Sequence, residues 1–152
     1  MSAASPNLLE TLRGTIGFAA QGKAVGNLTL GQGRLGELAI AVALIENRHA
    51  SGSLGRAEID ALKPVLEKAT RTKSPLLFHI DSAGARVSEG LVAQGAFRRL
   101  FAAALSAAGA GAPMAAVLGR HCYGGASMLA HVASRRIFAP ESQLAMSGPA
   151  IL

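Results

Sequence analysis

The sequence is poor in residues on which several large classes of protein depend. It holds one cysteine, Cys122, in 152 residues. Neither a disulfide framework nor a cysteine zinc site can form within one chain, and a reducing compartment, the cytoplasm, is the expected setting. There is no tryptophan, one tyrosine and five phenylalanines, a thin supply for the aromatic platforms on which single-stranded nucleic acid stacks. No apolar run reaches the roughly 20 residues that span a bilayer before Gly, Pro or a charge interrupts it. The N-terminus, MSAASPNLLETLRG, lacks the basic start and apolar core of a signal peptide. Neither G-x-S-x-G nor G-x-x-x-x-G-K-S/T occurs, which removes the nucleophile elbow and the phosphate loop. His49, His79, His121 and His131 have no metal-ligand spacing, and no metal is expected.

What is present describes a folded domain. Half of the residues are apolar and 16% are charged, a balance that buries a core rather than leaving a disordered chain. The net charge of +6 fits a nucleic acid, an anionic small ligand or a solvated basic surface. The basic residues are scattered, with tight pairs only at Arg98-Arg99 and Arg135-Arg136. Without a basic stripe interleaved with aromatics, nucleic acid is not an expected partner. A phosphate-bearing ligand, such as coenzyme A or an acyl-carrier phosphopantetheine, is compatible with the charge.

Periodicity orders the chain. Residues 1–21 read as an N-terminal arm, poorly anchored over 1–13 apart from a helical turn at Leu8–Leu12. Residues 22–30 alternate as a strand, GQGRLG (31–36) reads as a turn, and the nearly continuous apolar run 37–47 as a buried strand, together a hairpin. GQGRLG imitates part of a dinucleotide fingerprint but lies between strands instead of opening a helix. After a loop at 48–55, the spacing of Ile59, Leu62, Leu66 and Ala69 predicts a helix over 56–72, with Pro64 either kinking it or marking its first regular turn. A strand over 74–81, a helix over 89–108, a strand over 112–119, a helix over 124–133 and two short strands in 135–148 follow. That alternation predicts an α/β fold with parallel strands and crossover helices.

Two strand-to-helix junctions concentrate small residues: DSAGARVSEG from Asp81 and GRHCYGGASMLA from Gly119. In a parallel sheet both fall at the carboxyl ends of strands, where ligands bind. Small residues let a ligand approach the main chain, and a helix start presents unpaired N–H groups. Two such groups aimed at one point make an oxyanion hole. The alternative for each junction alone is that its glycines only permit tight turns. His121 and Tyr123 beside Cys122 suggest nucleophilic chemistry, but no partner acid is placed near them, and packing is the simpler role.

DSAGARVSEG resembles the DSGGAR-I/V-x-EG signature of the carboxyltransferase subunits of biotin-dependent acyl-CoA carboxylases. GSLGRAEIDALKPVLEKATRTKSPLL resembles the helix that precedes that signature. GRHCYGGASMLAHVASRRIFAPESQLAMSGPAIL resembles the later segment with its Gly-Gly turn and closing S-G-P-x-I. The resemblance covers residues 22–152 and implies a crotonase-like α/β superhelix with 22–152 as a carboxyltransferase domain, truncated or completed by a partner. The biotin-independent malonate decarboxylase carboxyltransferase-like subunit is a close relative. Carried onto this sequence, the resemblance implies oxyanion donors at Ala83, with Gly84 adjacent, and at Gly125, with Gly124 beside it. Ser82, Ala85, Arg86, Tyr123 and Ala126 would flank the acyl thioester, and Arg86 and Glu89 could form an ion pair that fixes the loop.

The implied chemistry moves a carboxyl group to or from the α-carbon of an acyl-CoA, or of an acyl-carrier thioester, through an enolate. Malonyl-carrier decarboxylation and a non-catalytic assembly subunit are the alternatives. The family's carboxyl carrier is biotin on a separate carrier, and the implied partner is a second crotonase-like subunit or domain in an oligomer. The sequence departs from the family in having Ala83 for the first signature glycine and Met128 near the place of the hydratases' acid/base Glu, which argues against a hydratase. It also lacks the cysteine zinc ribbon of one bacterial carboxyltransferase subunit, which points away from that subunit.

Overall fold

Leu38–Ile45, the most continuously apolar run, forms a central strand of a seven-stranded sheet in the computed structural model, which describes residues 7–148. The elements in chain order are α1 (Leu8–Ile16), β1 (Ala19–Ala20), β2 (Leu28–Leu35), β3 (Leu38–Ile45), α2 (Arg56–Thr72), β4 (Leu76–Ser82), α3 (Gly90–Gly109), β5 (Met114–Tyr123), α4 (Gly125–Val132), β6 (Arg135–Phe138) and β7 (Gln143–Ala145). One-turn 3-10 helices sit at Ala50–Gly52 and Val87–Glu89. The sheet order is β1-β2-β3-β4-β5-β6, with β7 also on β5. The β1-β2-β3 part is antiparallel and the rest is parallel. The predicted hairpin and the predicted parallel crossovers are therefore both present.

Alternate strand residues point to opposite faces, and each face has its own cover. On one face Ala43, Ile45, Phe78, Ile80, Ala116 and Leu118 meet Ile59, Leu62 and Leu66 of α2 and Ala96, Leu100 and Ala104 of α3. Alanine at these α3 positions lets the helix approach closely. On the other face Ile40, Val42, Leu44, Leu77 and Val117 meet Ile16 and the half-buried Leu8, Leu9 and Leu12 of α1. None of the described helices is long and apolar enough to cross a membrane.

Three expectations need correction. The described part of the arm is anchored: Asn7 caps α1 by accepting the Leu9 N–H, Gly17 closes it in the left-handed conformation, and Ile16 is buried. Residues 1–6 lie outside the described residues, as do 149–152, which include the P-x-I of the closing S-G-P-x-I. The strand expected over 22–30 begins only at Leu28, and the expected turn at 31–36 is mostly strand. Its glycines serve packing. A side-chain carbon on Gly31 would lie 2.3 Å from the Ala19 carbonyl oxygen and 2.5 Å from the Phe18 ring, and one on Gly33 would lie 3.0 Å from Ile16. The segment joining α1 to β1 crosses β2 at these two positions. Finally, β5 runs past the predicted end at 119 to Tyr123, because Cys122 pairs with Ser82 on one side and Leu144 on the other. The helix over 56–72 falls as expected, and Pro64 sits inside it without ending it.

Candidate functional site

The two glycine-bearing junctions touch. A side-chain carbon on Gly84 would lie 2.7 Å from the Tyr123 carbonyl oxygen and 3.1 Å from the Gly125 nitrogen. Gly84 has φ 98° and Gly124 φ 55°, conformations open to glycine and strained for other residues. Gly125 is the first residue of α4, and a side-chain carbon there would lie 2.6 Å from the Phe97 ring of α3. Adjacent β4 and β5 thus deliver two loops to one place at their carboxyl ends, with only glycine permitting the approach.

The loop after β4 is held by the loop that precedes α2. Leu54 N–H donates to the Gly84 carbonyl (2.8 Å) and Arg86 N–H donates to the Leu54 carbonyl (2.8 Å). Ala85 lies between these two bonds, and its own N–H has no acceptor among the described residues. Ala83 N–H is taken by the Ser51 carbonyl (2.9 Å), and Gly84 N–H by Ser82 Oγ (3.0 Å). The donor that the resemblance implies at Ala83 is therefore engaged, because the 48–55 loop, invisible to a local pattern, closes over it. The Ala85 N–H, next to the Gly84 contact, is unengaged among the described residues, as are those of Val87 and Ser88 further along the loop. On the second loop Gly124 N–H donates to the Met146 carbonyl (3.1 Å), while Gly125 N–H has no acceptor among the described residues, as expected for a helix start.

The flanking residues divide. Ser82 and Ala126 are fully buried and Tyr123 is nearly so, its hydroxyl donating to Gln143. These side chains pack as framework around the two loops. Arg86 folds back: its guanidinium donates to the Ser53 carbonyl (2.8 Å), to Glu89 (3.2 Å) and to Glu58. Glu89 also accepts the Arg56 N–H (2.9 Å). The anticipated Arg86–Glu89 pair is present, and a second, more buried partner, Glu58, was not anticipated. Burial pushes the Glu58 carboxyl up, but the bonds from Arg86 and from backbone N–H groups outweigh it and hold the carboxyl below its usual range. The same carboxylate raises Arg86 above its ordinary value, so the pair is charged.

Cys122, which the sequence raised as a nucleophile, is not activated. Burial, with a smaller contribution from the Asp81 charge, pushes the Cys122 thiol up to about 12, so no thiolate forms near neutrality. His79 is buried and donates its Nδ1–H to the Ile45 carbonyl (3.2 Å). Burial lowers its pKa from the usual 6.5 more than that bond and the nearby carboxylates raise it. A histidine whose folded pKa is depressed takes up its proton more readily when unfolded. Its contribution to stability is complete above about pH 6.5 and falls as pH drops below that value. Urea midpoints should therefore decline between pH 6.5 and pH 5 in the natural sequence and flatten in His79→Gln. Glu58 titrates below this window and leaves it clear.

The mixed sheet, with two glycine turns in contact at adjacent parallel strand ends, matches the crotonase-like α/β architecture of solved carboxyltransferase structures. The chain belongs to the carboxyl transferase domain family, whose model matches residues 16–152. Among similar proteins are the methylmalonyl-CoA carboxyltransferase 12S subunit of Propionibacterium freudenreichii subsp. shermanii, 29% identical over 66% of this chain. The acetyl-coenzyme A carboxylase carboxyl transferase subunit beta 1 of Roseiflexus castenholzii is 31% identical over 82% of this chain. The matched regions span 19% and 42% of those relatives' own lengths. A transcarboxylase 12S structure with methylmalonyl-coenzyme A bound superposes with a TM-score of 0.82 over 95% of this chain and 32% of its own, at 23% identity. The Pseudomonas malonate decarboxylase hetero-dimer superposes with 0.80 over 95% of this chain and 67% of its own, at 21% identity.

Proposed function

We propose that this chain supplies the acyl-thioester half of a carboxyltransferase site, acting on an acyl-CoA or an acyl-carrier thioester. The single observation that carries the reading is the pair of unengaged N–H groups, Ala85 and Gly125, on loops joined at Gly84. In the proposed reaction they hold the thioester oxygen as it gains charge on the way to the enolate. Preorganised donors of this kind lower the barrier because they bind the charged state better than the neutral one, by about 3 kcal/mol per donor. No side-chain nucleophile is required, in keeping with a protonated Cys122.

The carboxyl group is proposed to arrive on biotin, held by a separate carrier, and to meet the enolate where a second crotonase-like subunit docks. Support comes from the relatives' names, which specify coenzyme A thioesters, and from the hetero-dimeric and hexameric assemblies of the structural neighbours.

Calorimetric titration of the chain, alone and with its partner subunit, with coenzyme A and then methylmalonyl-coenzyme A tests the substrate class. Saturable binding of the thioester is the expected result. Heat only from an acyl-carrier protein moves the reading to a carrier-linked substrate, as in a malonate decarboxylase. No binding of any of them, with or without the partner, leaves an assembly module and sinks the catalytic reading.

A further inference from the structure

We propose that Glu58, which lies on α2 and on neither loop of the site, is a positioning residue that fixes the direction of the Ala85 N–H. The inference rests on the reading of Ala85 as a donor. Its starting point is the cost of the residue. The Glu58 side chain is 1% exposed, and a buried carboxylate is unfavourable unless held on every side. It is held: two nitrogens of Arg86 and the Gly55 N–H (3.1 Å) donate to it. Gly26 gives up a side chain for it, since a carbon there would lie 2.2 Å from Oε1. Replacing a buried ion pair by apolar groups is often neutral or stabilising. Stability alone therefore gives little reason for a charge here.

Geometry gives one. The Ala85 N–H belongs to the peptide unit that Gly84 shares with Ala85, whose carbonyl accepts from Leu54 (2.8 Å). The unit on the far side is set by the Arg86 N–H on the Leu54 carbonyl (2.8 Å). Both bonds depend on the 53–55 segment staying against residues 84–86. Glu58 grips that segment at Gly55 and grips the opposite loop through Arg86, whose guanidinium also holds the Ser53 carbonyl (2.8 Å). Buried Asn27 donates to the same Ser53 carbonyl (2.8 Å) and fixes the segment from behind. Arg86 and Glu58 both bridge the two segments, and Glu58 is the member that does so from α2, outside both.

Glu58→Gln keeps the size and the acceptor for Gly55 but removes the charge that orders Arg86. In the full chain with its partner subunit, kcat for carboxyl transfer should fall about 10- to 100-fold, the loss typical of a displaced reacting geometry, with KM for the thioester little changed. In the nitrogen-15-labelled protein the Ala85 amide should shift and lose order. If Glu58→Gln does not fold, Glu58→Met/Arg86→Met replaces the whole pair by apolar groups and carries the same two measurements. An Ala85 amide as ordered as in the natural sequence overturns the proposal. An Ala85 amide that loosens while kcat holds overturns the reading of Ala85 as a donor and leaves the positioning by Glu58 standing.

Discussion

Gly125→Pro slows carboxyl transfer by at least about 100-fold relative to Gly125→Ala, the cost of losing one donor if, as proposed, the Gly125 N–H holds the oxyanion. The comparison between the two variants is what gives the number meaning. Both place a carbon 2.6 Å from the Phe97 ring, so both force the same movement of that side chain. Overpacking of this sort costs about 1–3 kcal/mol in either protein. Only proline removes the N–H. Position 125 tolerates it locally: proline is favoured at the first residue of a helix, and Gly124, at φ 55° and ψ −131°, lies outside the α region that a following proline disfavours. Melting temperatures of the two variants should therefore agree while their turnover does not. Equal turnover would remove the Gly125 N–H from the chemistry, whatever the fold resembles.

The parallel half of the fold was legible because its periodicities are strong and local. Ile59, Leu62, Leu66 and Ala69 mark α2 at its true ends, Arg56 and Thr72. Pro64 does not interrupt it. The carbonyl deprived of its partner is that of Asp60, four residues back, on the exposed side of the helix where water can serve it. Gly31 and Gly33 misled because a glycine needed for a crossing segment looks in sequence like a glycine needed for a turn.

The loops of the candidate site were legible; which of their N–H groups are free was not. The small-residue pattern locates both loops, but which N–H stays free depends on Ser51, a residue of a different loop that reaches Ala83 only once β3 and β4 are paired. The positioning role we propose for Glu58 was not legible. At the third position of a helix it reads as a capping residue, which it also is. Nothing local connects it to Arg86, 28 positions on. The resemblance supplied the chemistry, and tertiary contacts decided which atoms are available for it.

Gly84→Ala places a methyl group where the two loops meet. The added carbon would meet the Tyr123 carbonyl oxygen at 2.7 Å, the Gly125 nitrogen at 3.1 Å and the Gly124 Cα at 3.3 Å. All three are backbone atoms, so no side chain can rotate aside, in contrast to Phe97 beside Gly125. A φ of 98° adds a conformational cost for any residue with a Cβ. Strain and overpacking together amount to about 3 kcal/mol, or a fall in melting temperature of roughly 6–12 °C for a domain of this length. Gly95→Ala provides the opposing control. Gly95 lies inside α3 with its nearest neighbour, Arg99 Nη1, at 3.8 Å, so the same methyl there should stabilise by up to about 1 kcal/mol through helix propensity. Loss of turnover in Gly84→Ala should exceed what its stability alone explains, measured well below the melting temperature. The clash is relieved only by moving the two loops apart, and that movement displaces the proposed Ala85 and Gly125 donors relative to one another. A Gly84→Ala protein that melts as the natural sequence does would mean the loops are not in contact, and the two N–H groups would then have no reason to act on one oxygen.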